Sequence, residues 1–311
     1  MENFQNGIHH ISVLAGDAQR NADFYVTTLG MRLVKKTVNQ DDPGTYHLFY
    51  ANAKGSPGSS LTFFPWPMAI KGKAGVGEAV KVAFAVPVNS MEFWMTYLSK
   101  KGIEHSAVYE RFTQQAISFK DPDGLMLELV FDEKAEEYPA WDQSQVPPHF
   151  GISGFKGTTL RLKNADPTAE VLKNIFHFEK REENENLLHF TSEADIGNSI
   201  IIEETKEDIS SENGRGIIHH IAFRVKDKED LIERRKQVKE MGLYPTEVID
   251  RHWFDSVYFR SPGGVLFEMA TDGPGYTVDE ELEKLGEKLI LPPWLEPRRK
   301  QIQEKLPEIV V

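Results

Sequence analysis

The sequence predicts an α+β fold built from four consecutive β-α-β-β-β modules. Three observations carry the prediction. One unit recurs four times along the 311 residues: an apolar strand, an amphipathic helix ending near a glycine, then further strands. The opening strand carries HHI twice, at His9–Ile11 and His219–Ile221. The last strand of two units is entered through a tight turn, DPDG at Asp121–Gly124 and SPGG at Ser261–Gly264.

The first module opens with GIHHISVLAGD at Gly7. Asp17 can cap a helix through ADFYVTTL, Gly30 can end it, and YHLFYA and SLTFF supply later strands. The second opens with VKVAFAVP. Asn89 or Ser90 can cap MEFWMTYLSKK, whose Met91, Phe93, Trp94, Met95 and Tyr97 fit a helix packed on its sheet, and AISFK and LMLELVF follow. The third opens with GTTLRLK, and Asp166–Pro167 reads as an N-cap followed by a proline at the first helical position. LLHFTSE and SIIIEE are its strands. In the fourth, GIIHHIAFRV leads to a helix capped by Asp227 and ended by Gly242, with KEDLIERRKQVKE as a solvated face; SVYFR and VLFEMA close the unit. Residues 1–137 hold modules one and two, and 154–274 hold three and four. Between them, 138–153, rich in Pro and Gln, reads as a linker. A helical tail is expected over 275–311: an acidic helix, the loop LILPPWLEP and a final helix RRKQIQEKL.

Composition narrows the partners. A net charge of −12 disfavours nucleic acid and anionic membrane surfaces. With no cysteine, disulfides, thiolate metal sites and cysteine nucleophiles are excluded. MENFQNGIHHISV lacks the pattern of a signal peptide, and no apolar run is long enough to span a bilayer, so a cytoplasmic protein is expected. A homo-oligomer is left open.

The recurring unit resembles the vicinal oxygen chelate superfamily over Gly7 to Asp272, on the HHI strand starts and on the DPDG and SPGG turns four residues before a glutamate. The resemblance implies four modules paired into two cup-like half-barrels. It does not fix the reaction, since the superfamily includes glyoxalases, extradiol dioxygenases, fosfomycin-modifying enzymes and metal-free antibiotic-binding proteins. It also implies two places per module for a metal ligand, one in the opening strand and one four residues after the turn glycine. The opening-strand places hold His10, Lys81, Gly157 and His220. The final-strand places hold Thr62 or Phe63, depending on how the turn is aligned, then Glu128, Ile201 and Glu268, with Glu203 on the same side of its strand as Ile201.

His10, His220 and Glu268 are therefore the expected ligands of one metal per chain. Two imidazoles and one carboxylate make the facial triad of non-haem Fe(II) oxygenases, whose free positions admit a substrate oxygen and dioxygen together. Modules one and four should then form the metal cup, and two and three a metal-free cup in which Glu128 pairs with a base such as Lys81. His47, His105, His149, His177 and His189 have no partner in repeat register and are not expected as ligands.

One histidine near the N-terminus, with a histidine and a glutamate in the last module, resembles the hydroquinone ring-cleaving dioxygenases. Tail and overall length resemble the Bacillus proteins linked to methylhydroquinone resistance. That resemblance implies Fe(II), with Mn(II) as the alternative, a small aromatic substrate and O2, and cleavage between a hydroxyl-bearing carbon and its neighbour. It extends to His9, His219, Ser12, Arg251 and Tyr258 around the ligands. Tyr258 would engage a substrate hydroxyl and Arg251 developing negative charge; as purely structural groups, Tyr258 would be a half-buried strand residue and Arg251 the partner of Asp250 or Asp255. On a regular strand, His9 and His219 face away from the ligands. Two rival readings are a glyoxalase-like isomerase, which needs a second carboxylate in the same cup, and a metal-free protein that binds aromatic compounds or drugs.

Overall fold

The computed structural model describes residues 4–311. Module one contributes β1 (Ile8–Ala15), β2 (Arg32–Val38), β3 (Tyr46–Ala51) and β4 (Ser60–Pro65). Module two contributes β5 (Glu78–Val86), β6 (Tyr109–Arg111), β7 (Gln114–Lys120) and β8 (Met126–Phe131). Module three contributes β9 (Gly154–Leu162), β10 (Glu179–Asn184), β11 (Leu187–Thr191) and β12 (Ser199–Glu204). Module four contributes β13 (Ile218–Val225), β14 (Ile249–Asp250), β15 (Phe254–Arg260) and β16 (Leu266–Pro274).

The strands form two eight-stranded curled sheets. One runs β14-β15-β16-β13-β1-β4-β3-β2 and joins modules four and one; the other runs β10-β11-β12-β9-β5-β8-β7-β6 and joins three and two. In every module the first strand pairs parallel with the last, and two first strands join each sheet antiparallel. Strand alternation then sorts the side chains. Ile11, Val13, Ile221 and Phe223 enter the main core, where Phe223 stacks on Phe176 at 3.9 Å. His10 and His220 take the other face, inside the first cup.

Helix starts follow local chemistry. Asp17 accepts from the Arg20 amide, and Asp227 from that of Asp230, at the starts of α1 (Ala18–Ala22) and, further along, a helix at Lys228–Glu240. Beyond Ala22 the chain continues as a wider π-helical turn over Asp23–Thr28, so the α-helix is shorter than expected. In the second module α2 (Met91–Lys100) has no side-chain cap, because the Ser90 hydroxyl donates to the Pro87 carbonyl at 2.6 Å. In the third, α3 (Asp166–Asn174) starts one residue earlier than expected: Ala165 is the cap, its amide held by the Glu204 carboxylate at 2.6 Å, and Asp166 lies in the first turn.

The tail departs most from expectation. Among the described residues after Gly275 there is no acidic helix; short 3-10 turns occupy Tyr276–Val278 and Leu282–Lys284, and the final helix is confined to Arg299–Gln303. Packing decides the outcome. Tyr276 and Leu285 are drawn into the first cup beside Phe49, Ala222 and Trp253. Leu291, Leu295 and Ile302 cover Val38 at its edge. A segment anchored residue by residue against a sheet cannot keep a helical period.

Candidate metal centre

The central strands β1 and β13 bring two distant histidines together. His10 pairs with Ala222 and Ser12 with His220, so the histidines are diagonal neighbours on one face about an Ile11–Ile221 centre. Their Nε2 atoms are 3.4 Å apart across 210 positions of sequence. Glu268 reaches the same point from β16, its Oε2 3.2 Å from His10 Nε2 and 2.9 Å from His220 Nε2. All three residues are buried, and no other cluster of this composition occurs among the described residues.

The donor set fits a cation. Three donors bound at right angles to one ion, at bonds of about 2.1 Å, stand roughly 3 Å apart. Glu268 Oε2 is buried and faces the two imidazole nitrogens without a well-aligned hydrogen bond to either, and a cation held between the three donors would satisfy all of them. Its other oxygen accepts from the Ser256 hydroxyl. Burial alone would raise the Glu268 carboxyl, but the two imidazoles outweigh it and hold the group well below its ordinary range. Burial also lowers His220, leaving a neutral imidazole suited to coordination.

His9 and His219 stand closer to the ligand pair than a regular strand allows. The β1–β13 register shifts between Ile8 and His10 and again between Ser12 and Val13, leaving His9 and His219 as the extra residues of two bulges. Each bulge turns its histidine onto its neighbour: His9 Nδ1 meets His10 Nδ1 at 2.9 Å, and His219 Nδ1 meets His220 Nδ1 at 2.7 Å.

A cavity of about 370 Å³ opens onto His10 and His220, walled by Phe49, Phe64, Trp66, Trp253, Phe254 and Tyr258. Arg251 lines it too, with its guanidinium 5.5 Å from the centre of the Tyr258 ring. Its acidic partner is Asp41, at 3.2 Å, on the loop between β2 and β3, rather than Asp250 or Asp255. Asp250 instead caps the His252 amide, and Asp255 faces Lys228. Burial, followed by the Glu268 charge, raises the Tyr258 hydroxyl, so it stays protonated at neutral pH. Ser12 does not reach the cavity; its hydroxyl bonds Thr62 at 2.7 Å. His47 does reach it, a residue that repeat register passed over because the other modules carry no histidine there.

Two long alignments decide the family. The sequence profile described as Glyoxalase/Bleomycin resistance protein/Dioxygenase superfamily matches residues 7–129 and 156–269. The chain belongs to this superfamily. Within it, the chain is 43% identical over 96% of its length to a Bacillus subtilis protein, covering 95% of that protein, which carries the provisional name ring-cleaving dioxygenase MhqO. It is 34% identical over 93% of its length to the chlorohydroquinone/hydroquinone 1,2-dioxygenase of Sphingobium indicum, covering 92% of that enzyme. A crystal structure of a provisionally named Bacillus subtilis dioxygenase superposes with a TM-score of 0.94 at 42% identity, covering 98% of this chain and 97% of that one.

The superfamily's ligand places can now be read from strand register. Ser12 pairs with Thr62 as Ala222 pairs with Glu268, so Thr62 rather than Phe63 holds the final-strand place of module one. In the second cup Glu128 is held by Lys81 at 2.6 Å, by Arg111 at 3.1 Å and by the Tyr109 hydroxyl. Arg111 precedes Glu128 by the same number of positions as Arg251 precedes Glu268. Gly157 stands where His10 does in the other cup, and a side chain there would meet the Ser199 carbonyl at 1.8 Å from its Cβ. Glu203 points to Arg161, 3.0 Å away.

Proposed function

We propose that the protein is an extradiol-type dioxygenase that opens para-dihydroxylated rings, hydroquinones with alkyl or halogen substituents, using one Fe(II) per chain on His10, His220 and Glu268. Mn(II) is the alternative ion. The observation that carries the reading is a triad of two imidazoles and one carboxylate whose histidines line an aromatic-walled cavity, with no fourth ligand in the cluster among the described residues. When bound, the ion supplies adjacent positions for a substrate oxygen and O2 and passes electrons between them. Both atoms of O2 end in the product, an open-chain muconic semialdehyde or acyl equivalent, so no external reductant is required.

The chain's own groups prepare that encounter. With Nε2 of each ligand histidine given to the ion, its Nδ1 carries the proton and donates to the Nδ1 of His9 or His219, which fixes tautomer and ring angle. The aromatic walls hold the substrate ring and exclude water. A para-diol offers only one oxygen to the triad, so its far hydroxyl needs a protein partner, and the protonated Tyr258 is the donor for it. Arg251, beside that ring, meets developing negative charge.

Thr62 weighs against the isomerase reading, because a neutral hydroxyl stands where a second carboxylate in this cup would have to be. The metal-free binding reading leaves Glu268 Oε2 buried against two imidazole nitrogens without a well-aligned hydrogen bond. Anaerobic Fe(II) reconstitution followed by an oxygen-electrode screen of hydroquinones and catechols tests all three. The expected result is one O2 consumed per hydroquinone; a loaded protein that consumes no O2 with any diol overturns the dioxygenase reading.

Tyr258→Phe should cost hydroquinone turnover about 1.5–3 kcal/mol more than catechol turnover, because a catechol can place both oxygens on the metal and needs the far partner less. The check is kcat/KM for methylhydroquinone and methylcatechol in both proteins. Equal losses would remove Tyr258 as the reader of the far hydroxyl.

A further inference from the structure

The first cup is built about a local two-fold axis, and the substrate reading above uses only one flank of it. Tyr258 pairs with Glu268 on β15–β16, and Phe49 pairs with Thr62 on β3–β4. With Thr62 in the place of Glu268, Phe49 is the counterpart of Tyr258 and His47 the counterpart of Ser256. The hydrogen bonds repeat this relation. Ser256 donates to Glu268, and His47 Nε2 bonds the Thr62 hydroxyl at 2.8 Å. The module-one flank thus retains the architecture of a ligand and its supporting partner but presents a hydroxyl and an imidazole.

His47 is held tightly there. Its ring packs 4.0 Å from the Phe49 ring and 4.1 Å from that of Phe64, measured between centres. Nε2 is fixed through Thr62 to the buried Ser12 hydroxyl. Burial, with His10, His220 and Arg251 nearby, keeps the imidazole neutral. With Nε2 taken, Nδ1 is the polar atom that this cavity-lining residue has left to offer.

We propose that His47 is a substrate-contacting residue: its Nδ1 accepts a hydrogen bond from the ring hydroxyl that enters at the triad, opposite the flank on which Tyr258 donates to the far one. Ser12 and Thr62 are positioning residues for it. An acceptor Nδ1 requires the proton on Nε2, which donates to Thr62 Oγ1, while the Thr62 hydroxyl donates to Ser12 Oγ. The proposal therefore sets the direction of both bonds, with Thr62 accepting from His47 and donating to Ser12. The inference rests on the para-diol reading and adds a second point of recognition to it.

The test is equilibrium binding without turnover. Methylhydroquinone is titrated anaerobically into the Fe(II)-loaded protein, followed by tryptophan fluorescence, for wild type, His47→Phe and His47→Gln. Phenylalanine preserves the ring packing and deletes the acceptor, and its affinity should fall roughly tenfold, the loss of one hydrogen bond. Glutamine restores an acceptor and should recover most of the loss, whereas a merely structural role would leave glutamine worse than phenylalanine. In the Zn(II)-loaded, 15N-histidine-labelled protein, the His47 signals should report the proton on Nε2, and methylhydroquinone should move Nδ1. Thr62→Val should mix the two tautomers. Unchanged affinity in His47→Phe, or a proton found on Nδ1, overturns the assignment of His47. Failure of the loaded wild type to bind methylhydroquinone overturns the substrate reading, and the His47 contact falls with it.

Discussion

Glu268→Ala is expected to abolish stoichiometric metal binding and with it all ring-cleaving activity. Replacing His10 or His220 with alanine should do the same. Each change leaves two protein donors around an otherwise open site. Losing a group that merely supports a ligand already costs about 10–100-fold in metal affinity, so losing a ligand should exceed that. Glu268 has the largest effect because it brings the only negative charge among the three donors, and because Ser256 already orients it. Glu268→Gln keeps the shape and the Ser256 contact but removes the charge, so it separates coordination from packing. It should unfold at the same denaturant concentration as the metal-stripped wild type while binding little iron. Metal content after anaerobic Fe(II) loading and gel filtration is the measurement. Stoichiometric iron in two of the three alanine variants would dissolve the triad. Acidification should also release the ion, since an imidazole must be neutral to coordinate and each protonation competes with binding.

Repetition made much of this legible. The two cups depend on which modules retain ligands, and HHI in the opening strands of the first and last modules points to the pairing of modules one and four. Glu128 could be assigned to a structural ion pair because Lys81 stands in its module's histidine place, and the two groups are 2.6 Å apart. What stayed hidden was irregular or non-repeating. Two bulges turn His9 and His219 onto the ligand rings, and a period-two reading cannot see an inserted residue. His47 has no repeat partner because its role belongs to one flank of one cup. Arg251 finds Asp41 across 210 positions, on a loop that no local pattern connects to it. The tail misled because its charge pattern resembles an exposed helix, whereas its Tyr276 and Leu285 are consumed by the cup.

The tail also carries the second large expectation: Lys35→Met should destabilise the protein by about 3–5 kcal/mol, the scale for stripping one partner from a buried ion pair. Lys35 lies on β2 with a fully buried side chain. Its ammonium meets Asp279 at 2.6 Å, the Glu280 carboxylate and the Tyr276 carbonyl at 3.0 Å, all from the tail. Methionine fills the same space and leaves the carboxylates without a cation. Asp279 keeps partners, since the Trp253 and His252 rings both reach it at 2.9 Å. Glu280 keeps a weaker partner, the Gly286 amide at 3.3 Å; its side chain is 6% exposed, and burial already pushes its carboxyl upward. Without Lys35 that upward shift grows. A carboxyl raised in the folded state favours folding while it is protonated and opposes it once pH climbs above the ordinary carboxylate range. The deficit of Lys35→Met should therefore be smaller at pH 5 than at pH 8. Adding Glu280→Gln should recover a large part of it at pH 8. Because Trp253 walls the cavity and shares Asp279 with Lys35, the single variant should also raise KM for methylhydroquinone. Urea unfolding of wild type, both single variants and the double variant at the two pH values measures the coupling. A deficit independent of pH, with no recovery in the double variant, would mean that Lys35 supports the tail through its packing alone.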